Sequence, residues 1–159
     1  MAHLNEITGQ IVDAAIAVHT CTGPGLLESA YEAMLAHELV ERGMEVQRQV
    51  SIPINYRQLL IPDAFRADLV ISSAVIVELK SVERLLPLHG KQVMTYLRLS
   101  QLPAALLMNF NVRLLKDGIE RFVNGPVDPS SVGSASSVGK RIGIISHRGH
   151  RAHGEESVP

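Results

Sequence analysis

The sequence predicts an α/β fold in which a central sheet is flanked by helices. Two observations carry this. The segments Phe65–Ile71 and Val75–Lys80 are apolar on both faces, and strands of that kind usually lie inside a sheet that helices cover. Segments with apolar residues at helical spacing stand before and after them. The 159 residues suffice for one domain with a real core and are too few for two comfortable ones. The domain is expected over residues 1–124, with a tail over 125–159.

From Asn5 to His19, the residues Ile7, Ile11, Val12, Ala15 and Ile16 mark the inner face of a first helix. Thr22, Gly23, Pro24 and Gly25 break it. A second helix is expected from Leu26 to Arg42, with Leu27, Ala30, Tyr31, Met34, Leu35 and Leu39 inward and Gly43 as its C-terminal cap. Val46, Val50, Ile52 and Ile54 alternate with polar residues, as in a strand with one wet face, and Pro53 suggests an edge or an end. The two doubly apolar strands follow. Pro87 opens a third helix over Leu88–Ser100, and Ala104–Phe110 reads as a short apolar strand. Asp117-Gly118 predicts a two-residue hairpin between Leu114–Lys116 and Ile119–Val123. From about Asn124 onward Gly, Ser and Pro dominate without a period, so residues 125–159 are expected to be disordered.

Composition narrows the function classes. The chain is 46% hydrophobic and 19% charged, which is ordinary for a globular protein. Aromatic residues make up 4% and Trp is missing, which argues against a base-stacking platform. The formal net charge of −1 carries no strong basic footprint, so a grip on nucleic acid must come from local patches or bound metal. Cys21 is the single cysteine; it excludes an intramolecular disulfide and a Cys-cluster zinc site, and it suits a reducing, cytoplasmic setting. The start MAHLNEITGQ does not resemble a signal peptide, and the apolar runs are short, so no membrane anchor is expected.

The candidate chemistry lies in FRADLVISSAVIVELKSV, where Asp68, Glu78 and Lys80 stand on two adjacent strands. Carboxylate oxygens suit a hard divalent cation such as Mg²⁺, and an ammonium beside it suits chemistry at a phosphate. Strand parity makes a geometric demand. A three-residue loop, Ser72–Ala74, pairs 71 with 75 and therefore 68 with 78, about 5 Å apart at Cβ. A two-residue loop would throw the carboxylates onto opposite faces. Opposed carboxylates repel without a cation, and Val70 and Ile76 suggest a partly dry setting. The Leu79 carbonyl lies between Glu78 and Lys80 as a further oxygen ligand. The plain alternative is a Glu78–Lys80 ion pair at a strand end with a solvated Asp68.

Gly25-Leu26-Leu27-Glu28-Ser29-Ala30-Tyr31 matches the motif that names the GxxExxY protein family. FRADLVI, VIVELKSVE, HGKQVMTYLRL and LLMNFNVRLLKDGIERFV follow in an order that also resembles that family, over roughly Ile7 to Gly125. The family is placed in the PD-(D/E)xK nuclease superfamily, and the resemblance implies its α/β, restriction-endonuclease-like core: a mixed central sheet flanked by helices. The resemblance implies that Asp68 is the metal-binding aspartate and that Glu78 and Lys80 form the (D/E)xK pair. It implies that Glu28 is the acidic residue contributed by a helix before the sheet. Gln92 and Tyr96 are similar to the Q-x-x-x-Y pattern of RecB-like nucleases, and on a helix they share one face. Ala67 stands where the superfamily name has Pro. The superfamily also holds members without activity, so the resemblance speaks more strongly for fold than for catalysis.

The implied function is a Mg²⁺- or Mn²⁺-dependent nuclease acting on nucleic acid, with catalytic Asp68, Glu78, Lys80, Gln92 and Tyr96 and metal ligands Glu28, Asp68, Glu78 and Leu79. The alternative is an inactive nuclease-fold module that binds a protein or nucleic-acid partner. A homodimer would enlarge the contact surface of so small a chain. Tyr31 reads equally as core or site. His19 and His89 read first as structural residues and second as ligands or bases.

Overall fold

The structure, a computed structural model, describes residues 2–125 and 140–141. Helix α1 spans Ala2–Thr22 and helix α2 Glu28–Glu41. Strands β1 (Val46–Tyr56), β2 (Leu59–Ile71) and β3 (Val75–Lys80) follow. Helix α3 (Pro87–Ser100) leads to β4 (Ala104–Asn109), a 3₁₀ turn at Leu115–Gly118, and β5 (Ile119–Val123). A two-residue strand β6, Lys140–Arg141, pairs with β5.

The sheet runs in the order β1-β2-β3-β4-β5-β6. The β3–β4 pair is parallel and the others are antiparallel, so the sheet is mixed, as the family resemblance implies. Helices α1 and α2 cover one face: Ile11, Leu35 and Leu39 pack there on Leu69, Val77, Leu79 and Leu106. Helix α3 covers the other, with Val93, Tyr96 and Leu97 on Ile76, Ala105 and Leu107. Both faces of β3 and β4 are therefore dry, which explains their unbroken apolar character. β1 lies at the edge, and its register shifts between Ile52 and Ile54, at Pro53. Proline cannot donate to a ladder and is confined to such positions.

Helix α2 ends at Gly43, whose φ of +77° suits glycine and lets its N–H reach Val40 O at 2.8 Å. The glycine turn before α2 is fastened by Tyr31. The fully buried Tyr31 donates its hydroxyl to Gly23 O at 2.6 Å, accepts Leu26 N–H at 3.2 Å, and stacks on Phe110 at 4.4 Å. Tyr31 is thus a staple of the fold.

Three boundaries differ from the sequence reading. Strand β2 begins at Leu59, six residues earlier than expected, because Leu59–Ile61 pair with Ile54–Tyr56 although they are exposed. Strand β4 ends at Asn109, and Phe110 turns into the core. The Asp117-Gly118 hairpin does not form. β5 pairs with β4 itself, Met108 against Ile119, and the connection folds into a 3₁₀ turn that buries Leu115. The expected disordered tail, residues 125–159, falls almost entirely outside the described residues.

Gly118 is the tight point of that connection. A Cβ there would lie 2.6 Å from Asn109 O and 2.9 Å from a Val112 methyl. Gly118→Ala is expected to destabilise the protein by about 1–3 kcal/mol, the usual range for overpacking, read from the urea-unfolding midpoint. An unchanged midpoint would show that the turn relaxes freely.

Candidate active site

The Ser72–Ala74 loop has three residues, and Ile71 pairs with Val75, Val70 with Ile76 and Leu69 with Val77. The odd loop demanded by parity is present. Ser72 and Ser73 take φ of +49° and +51° to close it.

The ladder stops one pair short of Asp68 and Glu78. Phe65 and Ala67 pack with α3, whereas Leu69 and Ile71 pack with α1 and α2. Residues two apart on a regular strand keep one face, so β2 turns over between Ala67 and Leu69. Asp68 sits at that reversal. Its Oδ2 accepts the Leu79 N–H at 2.8 Å, in place of a backbone carbonyl. The expected face-to-face pair is therefore corrected: Asp68 enters the edge of β3, while Glu78 and Lys80 share the α3 side with Ile76.

Glu78 is 4% exposed. Lys80 Nζ donates to Glu78 Oε1 at 2.7 Å and to Leu79 O at 3.1 Å. Among the described residues Glu78 Oε2 is buried without a hydrogen-bond partner, and such an atom carries the full cost of its lost water. Burial and then the charge of Asp68 push the Glu78 carboxyl up to about 7, against the pull of Lys80. Burial also raises Asp68, opposed by the Leu79 N–H and by Lys80. For Lys80 burial acts downward, but the hydrogen bond and charge of Glu78, with Glu28 and Asp68, outweigh it and hold the ammonium above its ordinary value.

The other candidates reach the site in different ways. Glu28 is exposed at the start of α2; its Oε1 accepts the Ser81 N–H at 3.0 Å, and its charge acts on Asp68, Glu78 and Lys80. Gln92 donates to the Tyr96 hydroxyl from one helical turn away. Tyr96 is buried against Phe65, and burial followed by the Glu78 charge raises its hydroxyl pKa. His19 has no place in the site. Its Nε2 donates to Phe110 O at 3.1 Å and Val112 O at 2.9 Å, tying α1 to the turn after β4. His89 Nδ1 accepts the Leu86 N–H at the start of α3.

Sequence reasoning missed Ser81, Glu32, Arg48 and Gln49, and it read Asn109 only as a cap on the turn after its strand. Ser81 ties Lys80's strand to the glycine turn, donating its hydroxyl to Leu26 O at 2.7 Å. Asn109 clamps Val82 through both N–H and C=O. Glu32 stands one helical turn after Glu28, a spacing that would have flagged it.

The donor set fits a hard divalent cation. It offers the partnerless Glu78 Oε2, Asp68 Oδ1 with only a 3.5 Å contact, and the Leu79 carbonyl. Among the described residues no three His, Cys, Asp or Glu side chains gather around one point. The fit thus rests on two carboxylates, a backbone oxygen and the waters that Mg²⁺ habitually keeps.

The profile of the PD-(D/E)XK nuclease superfamily matches residues 5–122. No curated protein and no solved structure matches the chain. Among the described residues no helix is long and apolar enough to cross a membrane.

A carboxyl whose folded pKa lies above its unfolded one stabilises the fold fully below the unfolded value of 4.5, and that contribution is lost as pH rises through about 7. A glutamine at position 78 does not titrate. The stability of the wild type relative to Glu78→Gln is therefore expected to fall, on the order of 3 kcal/mol, between about pH 4.5 and pH 8. Urea unfolding across that range measures it, and a flat difference would contradict a raised Glu78.

Proposed function

The chain belongs to the PD-(D/E)XK nuclease superfamily, and on that premise we propose that it is a divalent-metal-dependent nuclease that hydrolyses phosphodiester bonds of nucleic acid. The observation that carries this reading is the buried, partnerless oxygen of Glu78 set beside Asp68 and Lys80. Charges are not left in that state without a reason. The Gly25 to Tyr31 match supports a place in the GxxExxY branch. A cytoplasmic setting belongs to the same proposal.

Asp68, Glu78 and the Leu79 carbonyl would hold Mg²⁺ or Mn²⁺, with Glu28 near enough to add its charge. The ion supplies neutralisation of the scissile phosphate and a more acidic water. Lys80 contributes positive charge where the transition state accumulates negative charge. Its ammonium is already desolvated and oriented by Glu78. Gln92 and Tyr96 form a hydrogen-bonded pair on α3 that borders Glu78 and restrains the lysine side of the site. In hydrolysis the water oxygen bonds to phosphorus, the ester P–O bond breaks, and the leaving oxygen takes a proton.

One observation favours a second reading. Lys80 Nζ rests on Glu78 Oε1 and Leu79 O, oxygens that a cation would share. A protein that retained the fold only to bind a partner would keep that arrangement. A homodimer would enlarge the substrate surface in either case.

With Mg²⁺ or Mn²⁺, the wild type is expected to cleave single- or double-stranded DNA or RNA. Asp68→Ala, Glu78→Ala and Lys80→Ala should each lower the rate by at least about 100-fold, in a gel assay with chelator as control. Equal rates in the wild type and all three variants would favour the binding module.

A further inference from the structure

Strand β1 carries an anomaly directly across from Asp68. Arg48 pairs with Leu69 and Val50 with Ala67, but Gln49 and Asp68 between them do not pair. Gln49 has a φ of +50°. Other non-glycine residues with positive φ lie in turns or at a helix end: Arg57 between β1 and β2, Ser72 and Ser73 in the β2–β3 loop, Gln101 after α3. Gln49 alone among them is inside a strand. The left-handed region is costly for a residue with a Cβ, and such strain persists only where surrounding contacts impose it.

The contacts that impose it are visible. Glu32 on α2 is 6% exposed, and both of its oxygens are used. Arg48 Nε donates to Oε1 at 2.8 Å, and Gln49 Nε2 donates to Oε2 at 2.6 Å. The same Gln49 nitrogen lies 3.5 Å from Asp68 Oδ1. A primary amide has two N–H groups. Here one faces each carboxylate, so the amide separates Glu32 from Asp68, whose charges otherwise repel. A regular β1 would send residue 49 to one face of the sheet. The positive φ instead swings its amide in line with the Asp68 carboxylate, at the point where β2 also turns over.

We infer that Gln49 is a positioning residue, buttressed by Glu32 and Arg48, that fixes the rotation of the Asp68 carboxylate so that Oδ2 stays on the Leu79 amide and Oδ1 stays beside the Gln49 amide. The inference deepens the nuclease reading and rests on it for its functional consequence. Its structural half stands apart, because the Asp68–Leu79 hydrogen bond is formed by the chain alone. Groups that orient a metal ligand are worth 10- to 100-fold in affinity or activity in comparable sites.

Three variants separate positioning from mere folding. Gln49→Met keeps the length and removes both donors. Gln49→Gly removes the side chain but suits the backbone, since a φ of +50° is open to glycine. Glu32→Gln weakens the buttress. Amide hydrogen exchange followed by NMR reads the Leu79 N–H directly. The expected result is exchange about tenfold faster at Leu79 in all three variants, with the β3 amides of Val75 and Val77 unchanged. Mn²⁺ affinity by calorimetry should fall at least about tenfold in the same variants. Unchanged Leu79 exchange in Gln49→Met and Gln49→Gly would overturn the inference, and so would a uniform rise across β3, which marks general destabilisation. If the wild type itself binds no Mn²⁺, the nuclease reading fails, while the exchange result still decides the role of Gln49.

Discussion

The site depends on one substitution in the hydrogen-bond ladder: a carboxylate where a carbonyl would ordinarily be. Leu79 sits in the middle of the sheet, buried on both sides, and its N–H needs an acceptor. β2 turns over at Asp68 and withdraws its backbone. The Asp68 side chain fills the gap at 2.8 Å. A buried amide without an acceptor costs on the order of 1–3 kcal/mol, so the fold and the candidate chemistry are bound by the same atom pair. Removing Asp68 injures both, and for that reason the site is read better through Glu78 and Gln49 than through Asp68 alone.

Electrostatics follow from that arrangement. Glu28, Glu32, Asp68 and Glu78 surround the end of β3, against Lys80 and the half-exposed Arg48. Each carboxylate has a restraint of different strength. Glu32 is satisfied at both oxygens, Asp68 closely at one and by a 3.5 Å contact with Gln49 at the other, Glu28 by a backbone amide, and Glu78 at only one of two buried oxygens. The unsatisfied charge is thus concentrated on Glu78, the residue with the most strongly raised carboxyl. Sites that perturb a group so far, by burial and a specific charged neighbour, are enriched in function.

Much of the surrounding structure serves to hold that strand end. Ser81 is tied to Leu26 and Glu28, Val82 to Asn109, and His19 to Phe110 and Val112. Tyr31 closes the glycine turn that brings Glu28 to Ser81. The tyrosine of the motif therefore acts in the fold, and the glutamate acts at the edge of the site.

Local pattern determined the elements. Periodicity marked three helices, and the doubly apolar runs marked β3 and the inner end of β2, because a buried residue declares itself by its side chain alone. Loop parity gave the odd β2–β3 loop and the 71/75 register, but the period of two that it assumes breaks at Asp68, so the face-to-face pairing with Glu78 did not follow. The sequence could not show where β2 begins, because Leu59–Ile61 are exposed and pair only with β1. It misread Asp117-Gly118, because a hairpin signal is local while the pairing of β4 with β5 is not. Tertiary structure alone decided that β2 turns over at Asp68, that Gln49 takes a left-handed backbone, and that Glu32 lies buried between two donors from β1. Those facts depend on which groups meet across a long separation along the chain, and no residue's own propensity records its distant partner.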